Sequence, residues 1–112
     1  MDAAAEIARI DWHDSFVECV TVMSRTKGVG DFVEGWEANP DVYVTFVVYN
    51  FDADRSPRRV IVRLNGCGQL HLEFNRDLSP KIEKAPSGQW LFYWSDGDRT
   101  SGSTAESIEI LS

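Results

Sequence analysis

Two stretches between residues 42 and 74 alternate in hydrophobicity with a period of two. In VYVTFVVYN, Val42, Val44, Phe46 and Val48 share one side, and Tyr43, Thr45, Val47 and Tyr49 share the other. In RRVIVRLNGCGQLHLEF, Val60, Val62 and Leu64 oppose Arg59, Ile61 and Arg63; Leu70, Leu72 and Phe74 then oppose His71 and Glu73. Successive side chains of a strand point to opposite faces, so this period predicts strands, with DADRSP (52–57) as a hairpin connection. The second stretch is long for one strand. Gly66-Cys67-Gly68 predicts a kink at which the sheet curls or the strand changes layer, with Cys67 a small buried residue at the bend.

The same pattern recurs on either side. SFVECVTVMS (15–24) places Phe16, Val20 and Val22 on one face and Val17, Cys19 and Met23 on the other. Both faces are mostly apolar, which predicts a central or covered strand with Cys19 in the core. PKIEKAP (80–86) predicts a weak edge strand bracketed by prolines. GQWLFYWSDGDRT (88–100) predicts a strand followed by a turn at Asp96-Gly97, and STAESIEILS ends in a strand with Ile108 and Ile110 facing one way. AAAEIAR (3–9) favours a short helix with Asp2 as its N-cap, a frayed tail being the competing reading. The fold expected is mainly β: a single domain over residues 1–112, an antiparallel two-layer sandwich or a curled, partly open barrel of about six strands, plus the short N-terminal helix.

Residues 25–41, RTKGVGDFVEGWEANPD, break the alternation. Three glycines and a proline predict a loop, and a loop of this length in a small chain is often functional. Two readings of its aromatics compete. Phe32 and Trp36 either fold inward as anchors, or Trp36 stands outward among the acids Asp31, Glu34 and Glu37 as a partner-binding site.

Composition narrows the function classes. A hydrophobic fraction of 43% with 12% aromatics is that of a globular chain. The net charge of −7 lies wholly in the first half: residues 1–56 hold 11 acids and 4 bases, whereas residues 57–112 hold seven of each. Such a surface repels phosphate backbones and anionic lipid headgroups, so neither nucleic acid nor membrane is expected as a partner. A basic protein is the partner class it suits. The acidic start, MDAAAEIARIDWHD, does not resemble a secretory leader, which predicts a cytoplasmic protein with Cys19 and Cys67 reduced.

No catalytic motif is complete. His13-Asp14 could begin a metal site, but the chain has only one other histidine, His71, so acids would have to finish the coordination shell. The bland reading is that His13 and Asp14 bond backbone groups where the first strand begins. Ser15 and Cys67 are nucleophile candidates without a G-x-S-x-G elbow or a defined base. Glu18 and Glu73 would need a defined separation to act as a carboxylate pair. GVGDFVEG lacks the spacing of a dinucleotide fingerprint. The expectation is a binding protein with no catalytic residue, cofactor or resident metal. Trp90, Phe92 and Trp94 share one face and read as an aromatic core or, alternatively, as the lining of a small-ligand cavity in a β domain that dimerises.

IDWHDSFVECVTV, RRVIVRLNGCGQLHLEFN and the closing ESIEILS together resemble a class of small bacterial proteins that begin with an aromatic-His-Asp-small motif, here Trp12, His13, Asp14 and Ser15. Several families of that type resemble the immunity proteins of bacterial toxin systems. The resemblance implies stoichiometric inhibition of a toxin without catalysis, and carries over no functional residue. The long acidic segment 25–41 departs from the pattern. An unpaired edge strand would also permit a homo-oligomer.

Overall fold

A computed structural model describes residues 2–36, 39–49, 56–73, 78–95 and 102–111. The helix α1 spans Ala3–Ala8, and Asp2 caps it by accepting the Ala5 N–H at 2.8 Å. The described residues hold nine strands: β1 (Phe16–Met23), β2 (Thr26–Val29), β3 (Phe32–Trp36), β4 (Asp41–Val48), β5 (Arg58–Asn65), β6 (Lys81–Lys84), β7 (Trp90–Tyr93), β8 (Ser103–Ala105) and β9 (Ser107–Leu111). They form a four-stranded sheet in the order β1-β4-β5-β9, a separate β2-β3 hairpin, and a three-stranded sheet β6-β7-β8. All paired strands are antiparallel, and neither main sheet closes into a barrel. The mainly β expectation holds. The strand number exceeds the expected six because β2, β3 and the three-residue β8 lie in segments whose glycines and small polar residues hide the alternation.

The two main sheets form two layers. Val42, Val44, Phe46 and Val48 of β4, together with Val60, Val62 and Leu64 of β5, are fully or almost fully buried, as their alternation requires. Ile108 and Ile110 of β9 continue that face opposite Leu64 and Val62. Phe46 is the centre of the core. Its ring lies 5.0 Å from that of Trp12 edge-on, 6.3 Å from Phe92 and 5.8 Å from Trp94. Burying such a ring stabilises the fold by about 2–3 kcal/mol. Ile7 brings α1 into the same cluster.

The bend after β5 is where the chain changes layer. Gly66 turns with φ +60, and Gln69 then bridges to Thr104 of the second sheet. Glu106 returns the chain between layers, its N–H donating to the Asn65 carbonyl at 2.8 Å. The left-handed φ of Gly66 favours glycine at this corner, and a Cβ there would also displace the Glu106 side chain, 2.6 Å away. Cys67 is buried there, as expected. Residues 69–73 form no strand beyond the single bridge at Gln69, and Phe74 lies outside the described residues, as do most of the 52–57 connection and the Asp96-Gly97 turn.

Two expectations about the first strand are corrected. β1 is an edge strand, not a central one, and Cys19 is exposed. The cause is a bulge. The register with β4 shifts between Val17 and Cys19, so that Val17, Val20 and Val22 stand opposite the core-facing Phe46, Val44 and Val42. Cys19 is thereby turned to the outer face beside Thr21, its sulfur 3.6 Å from the threonine hydroxyl. An extra residue reverses every face assignment beyond it, which strict alternation cannot anticipate.

Candidate protein-interaction site

Residues 26–36 form an arm and not a loop. The hairpin β2-β3 turns through Gly30 and Asp31, and Gly30 has the positive φ (+59) that a tight two-residue turn demands at its first central position. Gly28 is equally constrained: a Cβ there would meet the Phe32 carbonyl oxygen at 1.9 Å. Sequence reasoning missed the hairpin because three glycines in eight residues read as irregular chain. The available signal was Gly-Asp set between Val29 and Phe32.

The arm packs on itself and on essentially nothing else among the named elements. Its apolar side chains are therefore in water: Val29 is 85% exposed, Phe32 70%, Val33 58% and Trp36 76%. Folding inward of Phe32 and Trp36 is thus overturned. A register shift between Lys27 and Gly28 splits these residues between the two faces. Val29 pairs with Phe32 on one, while Val33 and Trp36 lie opposite Gly28 and Thr26 on the other. Both faces of the ribbon are consequently apolar. An isolated two-stranded hairpin is marginally stable in water, and a cluster of this kind is what marks interaction surfaces.

Of the residues expected to bind a partner, Asp31 stands at the turn, Glu34 is exposed within β3, and Trp36 ends that strand. Glu37 lies outside the described residues. Val29, Phe32 and Val33 are exposed on the same hairpin; Val22 and Met23, at the end of β1, are also more than half exposed.

A charge cluster fixes the arm's base. Arg25, just before β2, donates from Nη2 to Oδ1 of Asp41 at 2.6 Å; Arg63 donates to Oδ2 at 3.4 Å, and the Gly66 N–H reaches Oδ1 at 3.0 Å. The Arg25 hydrogen bond, followed by that from Gly66, holds the Asp41 carboxyl below its usual range. Arg63 also stacks over Tyr43, 5.4 Å from the ring centre. Arg59 pairs with Glu18 at 2.7 Å on the surface, which lowers the glutamate and raises the arginine.

The other candidates lie elsewhere. Phe92 and Trp94 are buried in the core, edge-to-face at 5.3 Å, and the Trp94 indole donates to the His71 carbonyl. Trp90 is half-buried, with the Lys84 ammonium over its ring at 5.7 Å. Phe92 and Trp94 thus pack against Phe46 of the first sheet, and Trp90 lies partly buried at the margin of that cluster.

Trp12, His13, Asp14 and Ser15 form the turn that launches β1. The Trp12 indole donates to the Ile7 carbonyl, and the Ser15 hydroxyl to the Trp12 carbonyl. The Asp11 carboxylate accepts the His13 backbone N–H there at 3.0 Å. His13 and Asp14 approach to 3.4 Å and are largely exposed; Asp14 takes a left-handed φ of +64. This turn borders an open cleft of about 600 Å³ with Phe16, Leu78 and Ser79. His71 pairs instead with Glu73 at 3.1 Å. Among the described residues no three His, Cys, Asp or Glu side chains are grouped to hold a metal ion. Among the described residues no helix is long and apolar enough to cross a membrane.

Compared with models of known families, with curated proteins and with solved structures, the chain finds no match in any of the three.

Proposed function

We propose that this protein is a non-catalytic binding module that captures a basic protein partner with its β2-β3 arm, in the manner of an immunity protein holding a bacterial toxin. The observation that carries the reading is the apolar arm itself: Val29, Phe32, Val33 and Trp36 stand in water on a hairpin that packs little against the other described elements. Tryptophan is prominent among residues that dominate binding energy when a partner desolvates them. Asp31 and Glu34 flank it and add the charge that speeds encounter with a basic surface. The acidic first half of the chain acts in the same sense at longer range.

The test begins with affinity capture of partners from the source organism by the intact chain, followed by titration of the purified partner. Trp36→Ala should weaken binding by about 2 kcal/mol or more, roughly thirtyfold. Reversing Asp31 and Glu34 to lysine should slow association most at low salt. A captured partner whose affinity is indifferent to Trp36 and Phe32, or one with an acidic contact surface, would remove the proposal.

A further inference from the structure

Edge strands usually carry a device that deters pairing with other chains. β6 does: it is four residues long, follows Pro80 and carries Lys81 and Lys84. The edge strand β9 carries Glu109, bonded from Asn65. β1 is eight residues long and contains no proline, lysine or arginine. Its one charge, Glu18, is neutralised by Arg59. Beside its far end, Asp41 is matched by Arg25 and Arg63, so the chain's negative excess is not concentrated on this edge. Val22 and Met23 are 53% and 55% exposed upon it.

The bulge between Val17 and Cys19 bends the first part of β1 and leaves Cys19–Met23 in unbroken register with β4. We propose that this five-residue segment pairs antiparallel with the same segment of a second copy, about a two-fold axis at Thr21, joining two four-stranded sheets into one. In that register Val20 meets Val22 and Cys19 meets Met23. Core-facing residues then stand beside core-facing ones, and outward residues beside outward ones. A slip by one residue would set the two kinds against each other, and a slip by two in either direction shortens the pairing. The occupant is a second copy because the strand is its own complement under this symmetry, and because its charges are locally balanced.

So short a contact buries on the order of a few hundred Å² per copy, less than the ~800 Å² of a standard interface, so the dimer is reversible and forms in the micromolar range or above. The arm takes no part in the pairing. The inference therefore stands or falls apart from the function proposed above.

Sedimentation equilibrium across a concentration series tests it. The mass should rise with concentration from 12.6 kDa towards twice that value. Val22→Lys should hold it at the monomer value while the thermal melt remains cooperative, and Trp36→Ala should leave the association unchanged. As a second measurement, Thr21→Cys in a Cys19→Ser background should yield a disulfide-linked dimer under mild oxidation, since directly opposed strand residues lie within disulfide reach. A single 12.6 kDa species at every concentration would overturn the proposal. So would a dimer that survives Val22→Lys, one that is lost instead with Trp36→Ala, or one that fails to cross-link through position 21.

Discussion

Arg25 and Asp41 close the base of the arm: Nη2 of the arginine lies 2.6 Å from Oδ1 of the aspartate. The pair joins the residue just before β2 to the first residue of β4, so the hairpin leaves the sheet at a fixed point. A second arginine and a backbone N–H share the same carboxylate. Asp41→Ala strips all of these donors of their acceptor. It should lower stability by about 2 kcal/mol, read as a fall in the urea midpoint with the slope unchanged. Asp41→Asn keeps one acceptor oxygen and should lose less.

The same carboxylate gives stability a defined pH dependence. Its pKa is lower in the folded chain than in the unfolded one, chiefly because of the hydrogen bond from Arg25. The unfolded state therefore takes up the proton first as pH falls. The contribution is complete above the unfolded value, about 3.9, and is lost as pH drops through the folded one. Urea midpoints measured from neutral pH into the acid range should fall more steeply in the native chain than in Asp41→Ala. Parallel acid limbs would show that Asp41 has no such linkage.

The arm should be separable from the core. Gly28→Ala forces a Cβ into the Phe32 carbonyl and must distort β2-β3, yet the hairpin lends almost no packing to either sheet. The global melt should shift by about 1 kcal/mol or less, while partner binding is lost. A large loss of overall stability would show that the hairpin is integral to the fold.

Phe46 makes the opposite prediction. It is fully buried and touches the rings of Trp12, Phe92 and Trp94. Phe46→Ala should cost about 4 kcal/mol, a large part of the stability of a chain this size, and should be measurable by denaturant titration if the variant remains folded.

The two cysteines should differ in reactivity. Cys19 is exposed on β1, whereas Cys67 is buried, and burial raises its thiol pKa. A thiol reagent at neutral pH should label Cys19 in the native chain and reach Cys67 only after denaturation. Mass spectrometry of the labelled peptides decides the matter, and rapid native labelling of Cys67 would contradict its placement.

The glycines marked a kink at Gly66-Cys67-Gly68, and the two-residue period was enough to identify β4 and β5 and to group Val42, Val44, Phe46 and Val48 on one face and Val60, Val62 and Leu64 on one face. It works there because those strands are central and continuous, with one face sealed from water. Proline and lysine likewise marked β6 as an edge, and Asp2 marked the start of α1. At Cys19 the same reasoning failed, since a bulge residue has no signature in hydrophobicity. It left Phe32 and Trp36 undecided between an inward and an outward placement. An aromatic side chain looks the same in sequence whether a second layer covers it or not.

The sequence by itself determined the strand periods, the helix cap, the glycine corner and the acidic bias of the first half, because each arises from local stereochemistry or simple charge. Only the tertiary structure decided that β1 lies at an edge, that residues 26–36 stand clear as a two-faced apolar ribbon, and that Phe92 and Trp94 pack inward against Phe46. Those outcomes depend on what lies opposite each surface, and the partners across the core are brought together from distant parts of the chain.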